Sequence, residues 1–285
     1  MADNTTTTTT TTTTEPTILY EERGTGNTLI ALITLNRPAA LNSFTKQMHR
    51  ELWAAFDKID TNSNIRAAVI TGAGRGFCAG ADLSEFDFSE GTDAKGHTML
   101  ERANPRAVIN DYFNPTAQRL QALRVPTIAA VNGVAAGAGA SYALGCDITI
   151  AAPAAGFIQA FSKIGLIPDS GGSWILPQRL GMARAMALCM TGDKLPAAQA
   201  KEWGLIWDVA DDPVAAALVM AAKLATMPTK AMVVTRHLLR NAHTNTFDAQ
   251  LDLERDEQSA LGNTHDYIEG VKAFLEKRPA SFKGN

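Results

Sequence analysis

The feature that most constrains the fold is a recurring unit in which a short β-rich run ends at a turn of small residues. Residues 66–71 lead into the glycine-bearing segment 72–83, and residues 127–131 lead into the small-residue segment 132–141, which opens a helix. Strands that alternate with helices indicate an α/β fold. Ligands of such folds bind where strands end, so we expect these turns to line one site.

A third turn of this kind carries an acid. The apolar run of residues 164–168 stops at a proline, and Asp169 is followed by Ser170, Gly171 and Gly172, a pattern typical of a helix start. We predict that Asp169 lies at a strand-to-helix turn near exposed backbone N–H groups, where a carboxylate stays ionised and faces a pocket. The alternative is an N-cap aspartate that only starts the helix.

Composition excludes several classes of partner. The chain has 285 residues, of which 46% are apolar and 19% charged, enough for one large domain with a sizeable core. Its formal net charge is −3 and it has no basic run, so its charge attracts neither nucleic acid nor an anionic membrane. No stretch approaches the roughly 18 continuous apolar residues of a membrane span. We therefore expect neither nucleic acid nor a membrane as a partner.

The cysteines predict a compartment. Cys78, Cys146 and Cys189 are odd in number and show no metal-binding spacing, so we expect reduced, mostly buried thiols in a cytoplasmic protein, and no metal. The N-terminus also lacks the basic and apolar regions of a signal peptide. A catalytic cysteine is the alternative, but no histidine lies near any of the three in the sequence.

The chain divides into three predicted parts. Residues 1–16 hold a run of threonines and are expected to be disordered, because a polar homopolymer buries nothing. Residues 17–204 are the α/β core, which opens with a hairpin and an amphipathic helix, and residues 205–285 are almost all helix. Within the core, residues 84–96 are polar and irregular, so we expect a mobile segment, a candidate pocket lid, with His97 as a surface histidine.

Three motifs together carry a resemblance to a known family. They are Phe77-Cys-Ala-Gly-Ala-Asp82, Asn132-Gly-Val-Ala-Ala-Gly-Ala-Gly139 and Gly165-Leu-Ile-Pro-Asp-Ser-Gly-Gly172. In this order and spacing they resemble the crotonase (enoyl-CoA hydratase/isomerase) superfamily, over about residues 17–285. The resemblance implies a crotonase-type spiral of ββα turns with a helical C-terminal trimerisation region, in a homotrimer or a dimer of trimers. It implies an acyl-CoA thioester substrate and no separate cofactor, since CoA is part of the substrate.

The resemblance also assigns site residues by position. The backbone N–H groups of Ala81 and Ala138 match the pair that holds the thioester oxygen as an enolate forms, and one such donor typically contributes about 3 kcal/mol. Ala79, Phe274 and Lys277 match CoA-binding positions, the last two reaching the CoA of a neighbouring subunit. For Phe274 and Lys277 the alternative is an apolar anchor and a solvated lysine.

The resemblance is also informative at positions where this chain differs from the hydratases of the superfamily. Hydratases of the superfamily add water with two glutamates, whose positions here are Ser141 and Phe161, so we argue against a hydratase. Asp169 is the acid left on the pocket motif, and a lone carboxylate suits a proton shuttle. Attack by Asp169 as a nucleophile is the alternative, as in aryl-CoA dehalogenases of the superfamily, which have tryptophan in place of Phe161.

Segments further along narrow the resemblance. Residues 167–177, 202–207, 250–256 and 269–278 resemble the ring-epoxide isomerases of the superfamily. This implies conversion of the ring 1,2-epoxide of phenylacetyl-CoA to oxepin-CoA, with Asp169 moving a proton along an oxyanion-stabilised enolate. The alternatives are a Δ3,Δ2-enoyl-CoA isomerase of fatty-acid oxidation, an RNA-binding relative and a catalytically inactive scaffold.

Overall fold

The structure, a computed structural model, describes residues 15–285. The disordered tail predicted for residues 1–16 lies, except for its last two residues, outside this range. The strands in the described part are β1 (Ile18–Arg23), β2 (Leu29–Leu35), β3 (Ile65–Gly72), β4 (Gly76–Cys78), β5 (Thr127–Val131), β6 (Val134–Ala136), β7 (Ile148–Ala151), β8 (Gly156–Ile158), β9 (Lys194–Pro196) and β10 (Asp208–Val209).

Helices make up most of the rest. They are α1 (Lys46–Thr61), α2 (Met99–Arg102), α3 (Arg106–Val108), α4 (Asn114–Ala122), α5 (Ala138–Gly145), α6 (Gly172–Leu180), α7 (Met182–Thr191), α8 (Ala197–Glu202), α9 (Pro213–Ala225), α10 (Thr229–Asn241), α11 (Phe247–Leu261) and α12 (His265–Glu276). A π-helical turn at Ile109–Phe113 joins α3 to α4, and short 3-10 turns lie at Pro38–Ala40, Leu83–Glu85 and Ala160–Ile164.

The strands form two sheets. The six-stranded sheet has the order β1-β2-β3-β5-β7-β10, and the four-stranded sheet has the order β4-β6-β8-β9. Each sheet is parallel except at one edge pair, the β1–β2 hairpin in the first and β8–β9 in the second. The antiparallel hairpin confirms the reading of residues 17–36.

Successive strands alternate between the two sheets. β3, β5 and β7 lie in the larger sheet, and each is followed by a short strand, β4, β6 or β8, in the smaller one before the chain turns into helix. The chain therefore winds as a spiral of ββα turns, which confirms the predicted α/β class and architecture. Because parallel strands end at one edge, this winding brings the segments that follow β4 and β6 together.

Both faces of the larger sheet are covered. One face belongs to the main core, against which the predicted amphipathic helix, α1, packs its buried side chains Met48, Leu52, Ala55, Phe56 and Ile59. The other face meets α9, whose alanines Ala217, Ala221 and Ala225 are fully buried against β2, β3, β5 and β7. Small side chains at this spacing let the helix approach the sheet closely.

The four long C-terminal helices agree with the prediction for residues 205–285. Three of them begin at a side-chain cap: Asp212 accepts from Ala215 N, Thr246 from Ala249 N and Thr264 from Tyr267 N. In the described part of the chain, no single helix is long and apolar enough to cross a membrane; the pair α9 and α10, bent by 109°, passes such a test only when joined. The division at residue 204 stays a prediction.

One local prediction is wrong. We expected a strand to end at Pro168, but β8 ends at Ile158 and the chain then forms the 3-10 turn Ala160–Ile164 and an irregular stretch. The apolar run that suggested a strand is exposed: Ile164 is 56% and Ile167 80% accessible to solvent. These apolar side chains therefore belong to the protein surface and not to a buried strand.

Candidate active site

The two small-residue turns leave the four-stranded sheet side by side. β4 and β6 are parallel neighbours, with Cys78 paired to Ala135, so the segments that follow them lie at the same edge. Gly80 packs directly against the second turn with a φ of +97°, and a Cβ there would lie 3.0 Å from Ala136 O and 3.6 Å from Ala138 N. Only glycine fits this position, and the fit brings the Ala138 amide next to the segment that holds Ala81.

A β-bridge orients the Ala81 amide. Phe44 N donates to Gly80 O at 2.7 Å, and Asp82 N donates to Phe44 O at 2.9 Å. These two bonds make a parallel bridge between Phe44 and Ala81. In such a bridge the residues on either side of Ala81 form the bonds, so the N–H of Ala81 itself points the other way.

The Ala138 amide is the first of helix α5. Gly137 precedes it with a φ of +52°, and the first N–H of a helix has no acceptor within the helix. Gly137 lies between the first turn and Phe161, since a Cβ on it would be 3.9 Å from Gly80 Cα and 3.6 Å from the Phe161 ring. Two backbone N–H groups with no strand or helix acceptor therefore occur in facing segments, and their role as an oxyanion hole stays a prediction.

Asp169 lies two residues before the N-cap of α6. The N-cap is Gly171, with a φ of +86°, and Asp169 takes part through its carbonyl, which accepts from Gly172 N at 2.8 Å. The carboxylate is therefore not a capping group, contrary to the N-cap alternative. Its one side-chain partner among the described residues is the Ser170 hydroxyl, which donates to Oδ1 at 3.0 Å.

Burial shifts the acidity of Asp169. Loss of hydration raises its pKa from 3.8 to about 6, against the opposing pull of the Ser170 hydroxyl and its own backbone N–H. No charged side chain within residues 15–285 contributes to this shift. A carboxyl group with such a pKa both accepts and returns a proton near neutral pH.

Helix α5 links the acid to the turns. Ala138 begins the helix, and Tyr142 lies one turn later. Burial above all, and also the charge of Asp169, raise the pKa of Tyr142 well above its ordinary value. Ser141 also faces the acid-bearing segment, because its Oγ is 2.6 Å from where a Cβ on Gly172 would lie. The candidate acid and one candidate N–H donor are thus held by the same helix.

The two positions that correspond to hydratase glutamates carry no acid. Ser141 is fully buried and directs its hydroxyl towards Gly137 O at 3.4 Å, and Phe161 is buried against Gly137. A second carboxylate is therefore lacking at both places. This arrangement has a single acid–base group where water addition by that mechanism needs two.

The predicted CoA-binding residues are spread over the chain. Ala79 lies half-buried beside the first turn, with its N–H donating to Leu41 O at 2.9 Å. Phe274 is 82% exposed and lines a groove of about 400 Å³ between α10, α11 and α12. Lys277 follows α12 with a φ of +54°. Within the described chain, that groove contains neither Asp169 nor the two turns, so one subunit alone does not unite all the predicted residues.

One arginine, Arg102, binds the candidate lid through several hydrogen bonds. Arg102 Nε pairs with Asp87 at 2.7 Å, and its two terminal nitrogens donate to the carbonyls of Ser89, Gly91 and His97 at 2.5–3.1 Å. His97 itself is exposed and bonded to Asp93, which confirms it as a surface residue. Sequence analysis missed Arg102, because its partners are backbone carbonyls that no motif marks.

Cysteine chemistry has no place in this site. All three thiols are free, and Cys78 and Cys146 are buried. Burial raises the pKa of both to about 12, so neither forms a thiolate near neutral pH. Among residues 15–285 no group of three His, Cys, Asp or Glu side chains is placed to hold a metal ion.

Comparison with known proteins identifies the family. The family description "Enoyl-CoA hydratase/isomerase" matches residues 25–285. The chain belongs to the enoyl-CoA hydratase/isomerase family. It is an enzyme of that family, whose crotonase fold it shares with an enoyl-CoA hydratase from Polaromonas sp. JS666, at a TM-score of 0.81 and 32% identity over 92% of this chain and 99% of that one.

Relatives within the family carry two kinds of name. The chain is 48% identical to 1,2-epoxyphenylacetyl-CoA isomerase of Escherichia coli K12, over 90% of this chain and 95% of that protein. It is 41% identical, over the same shares, to a Rhodobacter capsulatus protein named "Probable enoyl-CoA hydratase". Family membership alone therefore does not distinguish isomerisation from hydration. That distinction depends on the residues of the site.

Proposed function

We propose that this enzyme is an acyl-CoA isomerase that converts the ring 1,2-epoxide of phenylacetyl-CoA to oxepin-CoA. The observation that carries the proposal is that the site has a single carboxyl group. Burial raises the pKa of Asp169 to about 6, and the two positions where hydratases carry glutamates are occupied by Ser141 and Phe161. The name of the E. coli relative supports the choice of substrate.

The proposed chemistry uses one proton and two amides. Ionised Asp169 removes a proton from C2 of the thioester, and the N–H groups of Ala81 and Ala138 hold the enolate oxygen that forms. Each donor of this kind typically lowers the barrier by about 3 kcal/mol. Asp169 then returns the proton further along the conjugated system, so that no atom is gained or lost. With the ring substrate, the C–C bond shared by the epoxide and the six-membered ring breaks while both C–O bonds remain. The oxygen thereby becomes part of the seven-membered oxepin, and the strain of the three-membered ring is relieved.

Two other reactions are the natural competitors. A Δ3,Δ2-enoyl-CoA isomerase would use the same shuttle on a straight chain, and it is our second candidate because a lone carboxylate serves it equally well. Hydration is less well supported, because the residues at the two glutamate positions, Ser141 and Phe161, cannot exchange a proton with water as carboxylates do.

Binding of CoA completes the proposal. We infer that Ala79 contacts the CoA ester within the subunit, and that Phe274 and Lys277 contact the CoA of a neighbouring subunit in a homotrimer or a dimer of trimers. A lysine near the CoA pyrophosphate is favoured by charge. CoA is part of the substrate, so we propose no separate cofactor, and the cytoplasm as the compartment.

The test is a coupled assay in D2O. The ring-epoxide CoA ester is generated in situ and supplied to wild type, Asp169→Asn and a control, Asp193→Asn, which changes an exposed aspartate after α7. We expect oxepin-CoA, separated from the isomeric epoxide by liquid chromatography and distinguished by its ultraviolet absorption, from wild type and the control only, with the CoA ester still bound by Asp169→Asn. Deuterium in the product reports exchange of the shuttled proton with solvent.

Two results would contradict the proposal in different ways. Full activity of Asp169→Asn would remove Asp169 from the chemistry. Turnover of a straight-chain 3-enoyl-CoA without any oxepin-CoA would replace the substrate and favour the second candidate.

A further inference from the structure

The first turn is bound to a segment that has no part in the mechanism so far. Residues 37–44 follow β2, and Asp82, the residue after Ala81, contacts them with both its backbone and its side chain. Its N–H donates to Phe44 O at 2.9 Å, and its carboxylate pairs with Arg37 Nη2 at 2.8 Å. One segment therefore holds the backbone next to Ala81 and the side chain that follows it.

The ion pair between Arg37 and Asp82 is sheltered and well connected. Only 25% of the Arg37 side chain and 13% of the Asp82 side chain are exposed. Arg37 Nη1 donates to Ser43 O at 2.5 Å and to Ser43 Oγ at 3.1 Å, and Ser43 Oγ donates to Asp82 Oδ2 at 3.2 Å. Burial opposes ionisation of Asp82, but bonds from Ser84 and Arg37 outweigh it and lower its pKa. The carboxylate is therefore charged at neutral pH, and it meets a forked guanidinium.

The segment that carries Arg37 is itself rigid. Asn42 is fully buried, and its amide donates to Ala73 O at 2.9 Å and to Gly76 O at 2.8 Å, both ahead of the first turn. Leu41 and Asn42 have φ of +49° and +57°, left-handed conformations that residues with side chains rarely adopt. Such backbone strain persists where the surrounding contacts fix it, and it is concentrated at functional sites. This strain is an observation independent of the ion pair.

The contacts converge on the residue that follows the candidate N–H donor. The direction of an N–H group is set by the peptide planes on both sides of it, and Asp82 is fixed through its own N–H and its carboxylate. We propose that Arg37 and Asp82 form an ion pair that positions the N–H of Ala81 towards the thioester oxygen. The inference rests on the proposed function, in which Ala81 donates to the enolate. Arg37 and Asp82 are positioning residues, since they act through the backbone of the first turn.

Pairing also matters for the charge beside the site. An unpaired carboxylate next to Ala81 would repel the negative charge that develops on the enolate oxygen, most strongly where water is excluded. Arg37 neutralises that carboxylate. Because the carbonyl of the bound substrate is uncharged, loss of Arg37 should harm the transition state more than the bound substrate.

The test reports on the hydrogen bonds to the thioester oxygen directly. Phenylacetyl-CoA, isotope-labelled at its thioester carbonyl, has no epoxide to rearrange, and infrared difference spectroscopy of the bound ester measures the strength of hydrogen bonds to that carbonyl. We expect the wild-type protein to lower the carbonyl frequency relative to that of the free ester. In Arg37→Ala the frequency should move back towards that of the free ester. Arg37→Lys keeps the charge without the fork, and Asp82→Asn keeps an acceptor without the charge, so both should move it by less.

Kinetics give a second readout. In Arg37→Ala, kcat for isomerisation should fall roughly tenfold, which is part of the loss of about 10²–10³-fold that is typical when one oxyanion donor is removed. KM should be almost unchanged, as expected for an interaction that acts mainly in the transition state. Arg23→Ala is the matched control, because Arg23 pairs with Glu21 at the surface, and both readouts should equal those of the wild type.

Three results would overturn the inference. The first is an Arg37→Ala protein with wild-type circular dichroism and an unchanged carbonyl frequency. Should Arg37→Ala fail to fold, an unchanged frequency in Arg37→Lys and Asp82→Asn has the same meaning. The third is a wild type that does not lower the frequency, which would remove the oxyanion role of Ala81 as well. Failure to turn over the ring epoxide, with the expected frequencies, would contradict the proposed substrate and support the positioning role.

Discussion

The raised pKa of Asp169 lowers the stability of the folded protein at neutral pH. Its pKa is about 6 in the folded protein against 3.8 ordinarily, so between these values the folded state binds more protons than the unfolded state. Stability linked to this group is therefore fully present below about pH 4 and is lost as the pH rises through 6. The shift corresponds to roughly 2–3 kcal/mol at neutral pH. We expect Asp169→Asn to unfold at higher urea than wild type at pH 8, and the difference to shrink towards pH 4.

Asp193→Asn is the control for this stability effect, since that aspartate is exposed. Its midpoint in urea should follow the wild type at every pH. An Asp169→Asn variant that is less stable than wild type at pH 8 would contradict the conclusion that burial of the ionised Asp169 carboxylate destabilises the folded protein.

The same acid sets the pH dependence of activity. Only ionised Asp169 can remove a proton, so kcat/KM is expected to rise with pH through about 6 and then level off. The measurement is kcat/KM for the ring-epoxide ester from pH 5 to 8. A limb centred near pH 4 would mean that burial does not govern the acid in the working enzyme.

At the residue scale, sequence analysis anticipated the acid and the turns but not the buried hydroxyl groups of Ser170 and Tyr142. Asp169, Ala81 and Ala138 stand in recognisable motifs, and the structure brings their segments together. Ser170 and Tyr142 are separated by nearly thirty residues, and the packing of α5 against α6, which begins just after Ser170, leaves no local pattern in the sequence. A buried tyrosine, which needs a hydrogen-bond partner, was the one available signal.

At the element scale, an ion pair between Arg236 on α10 and Asp147, just before β7, attaches the helix to the larger sheet. Arg236 holds Asp147 through two bonds of 2.6 and 2.7 Å and donates to the carbonyls of Leu123 and Val125 at 2.6 Å, with only 8% of its side chain exposed. Lysine cannot reproduce this forked geometry. We expect Arg236→Lys to lower the free energy of unfolding by about 2–3 kcal/mol in urea.

Arg255→Lys is the matched control. Arg255 pairs with Asp252 and Asp256 on the exposed side of α11, with 66% of its side chain accessible, and such pairs contribute little. Equal losses in the two lysine variants would mean that burial of the Arg236 pair is unimportant.

The candidate lid gives a second prediction at this scale. Because Arg102 binds the segment of residues 87–97 at four places, Arg102→Ala should speed proteolysis and amide exchange there by several-fold while the sheet strands stay protected. Arg106→Ala, an exposed arginine four residues on, is the control. Unchanged exchange over residues 87–97 would show that the segment is held by other contacts.

Elements were predictable where the pattern is local. Residues 205–285 were predicted to be almost all helix, and three of the four long helices found there begin at a capping side chain. The run before Asp169 was misread because its apolar residues are exposed, and apolarity alone does not tell a buried strand from a surface. The division of strands between two sheets depends on distant pairings, which single segments do not encode.

At the scale of the whole molecule, exposed apolar side chains of α12 point to assembly. Tyr267, Val271, Phe274 and Leu275 are 42–82% exposed and lie along one groove of the C-terminal helices. A cluster of this kind in a protein surface is typical of an interface. We expect light scattering to give three or six times the subunit mass of 30.4 kDa for wild type.

Phe274→Asp should shift that mass towards the monomer, and Phe274→Tyr, which keeps the ring, should not. Loss of CoA-ester affinity together with the mass would support a CoA site shared between subunits. A monomeric wild type would contradict both the assembly and the shared site.

Gly80 and its crowded neighbour Ala136 also bear on how such an enzyme changes over evolutionary time. The candidate anion cradle consists of main-chain N–H groups, and the close packing of Gly80 sets their spacing for any residue other than proline at positions 81 and 138. Mutational drift at those two positions leaves the cradle intact, whereas the acids around it are free to be gained, lost or moved. If these N–H groups hold the thioester oxygen as we propose, a lineage with this architecture can acquire a new reaction by relocating a carboxylate while it keeps the same two donors.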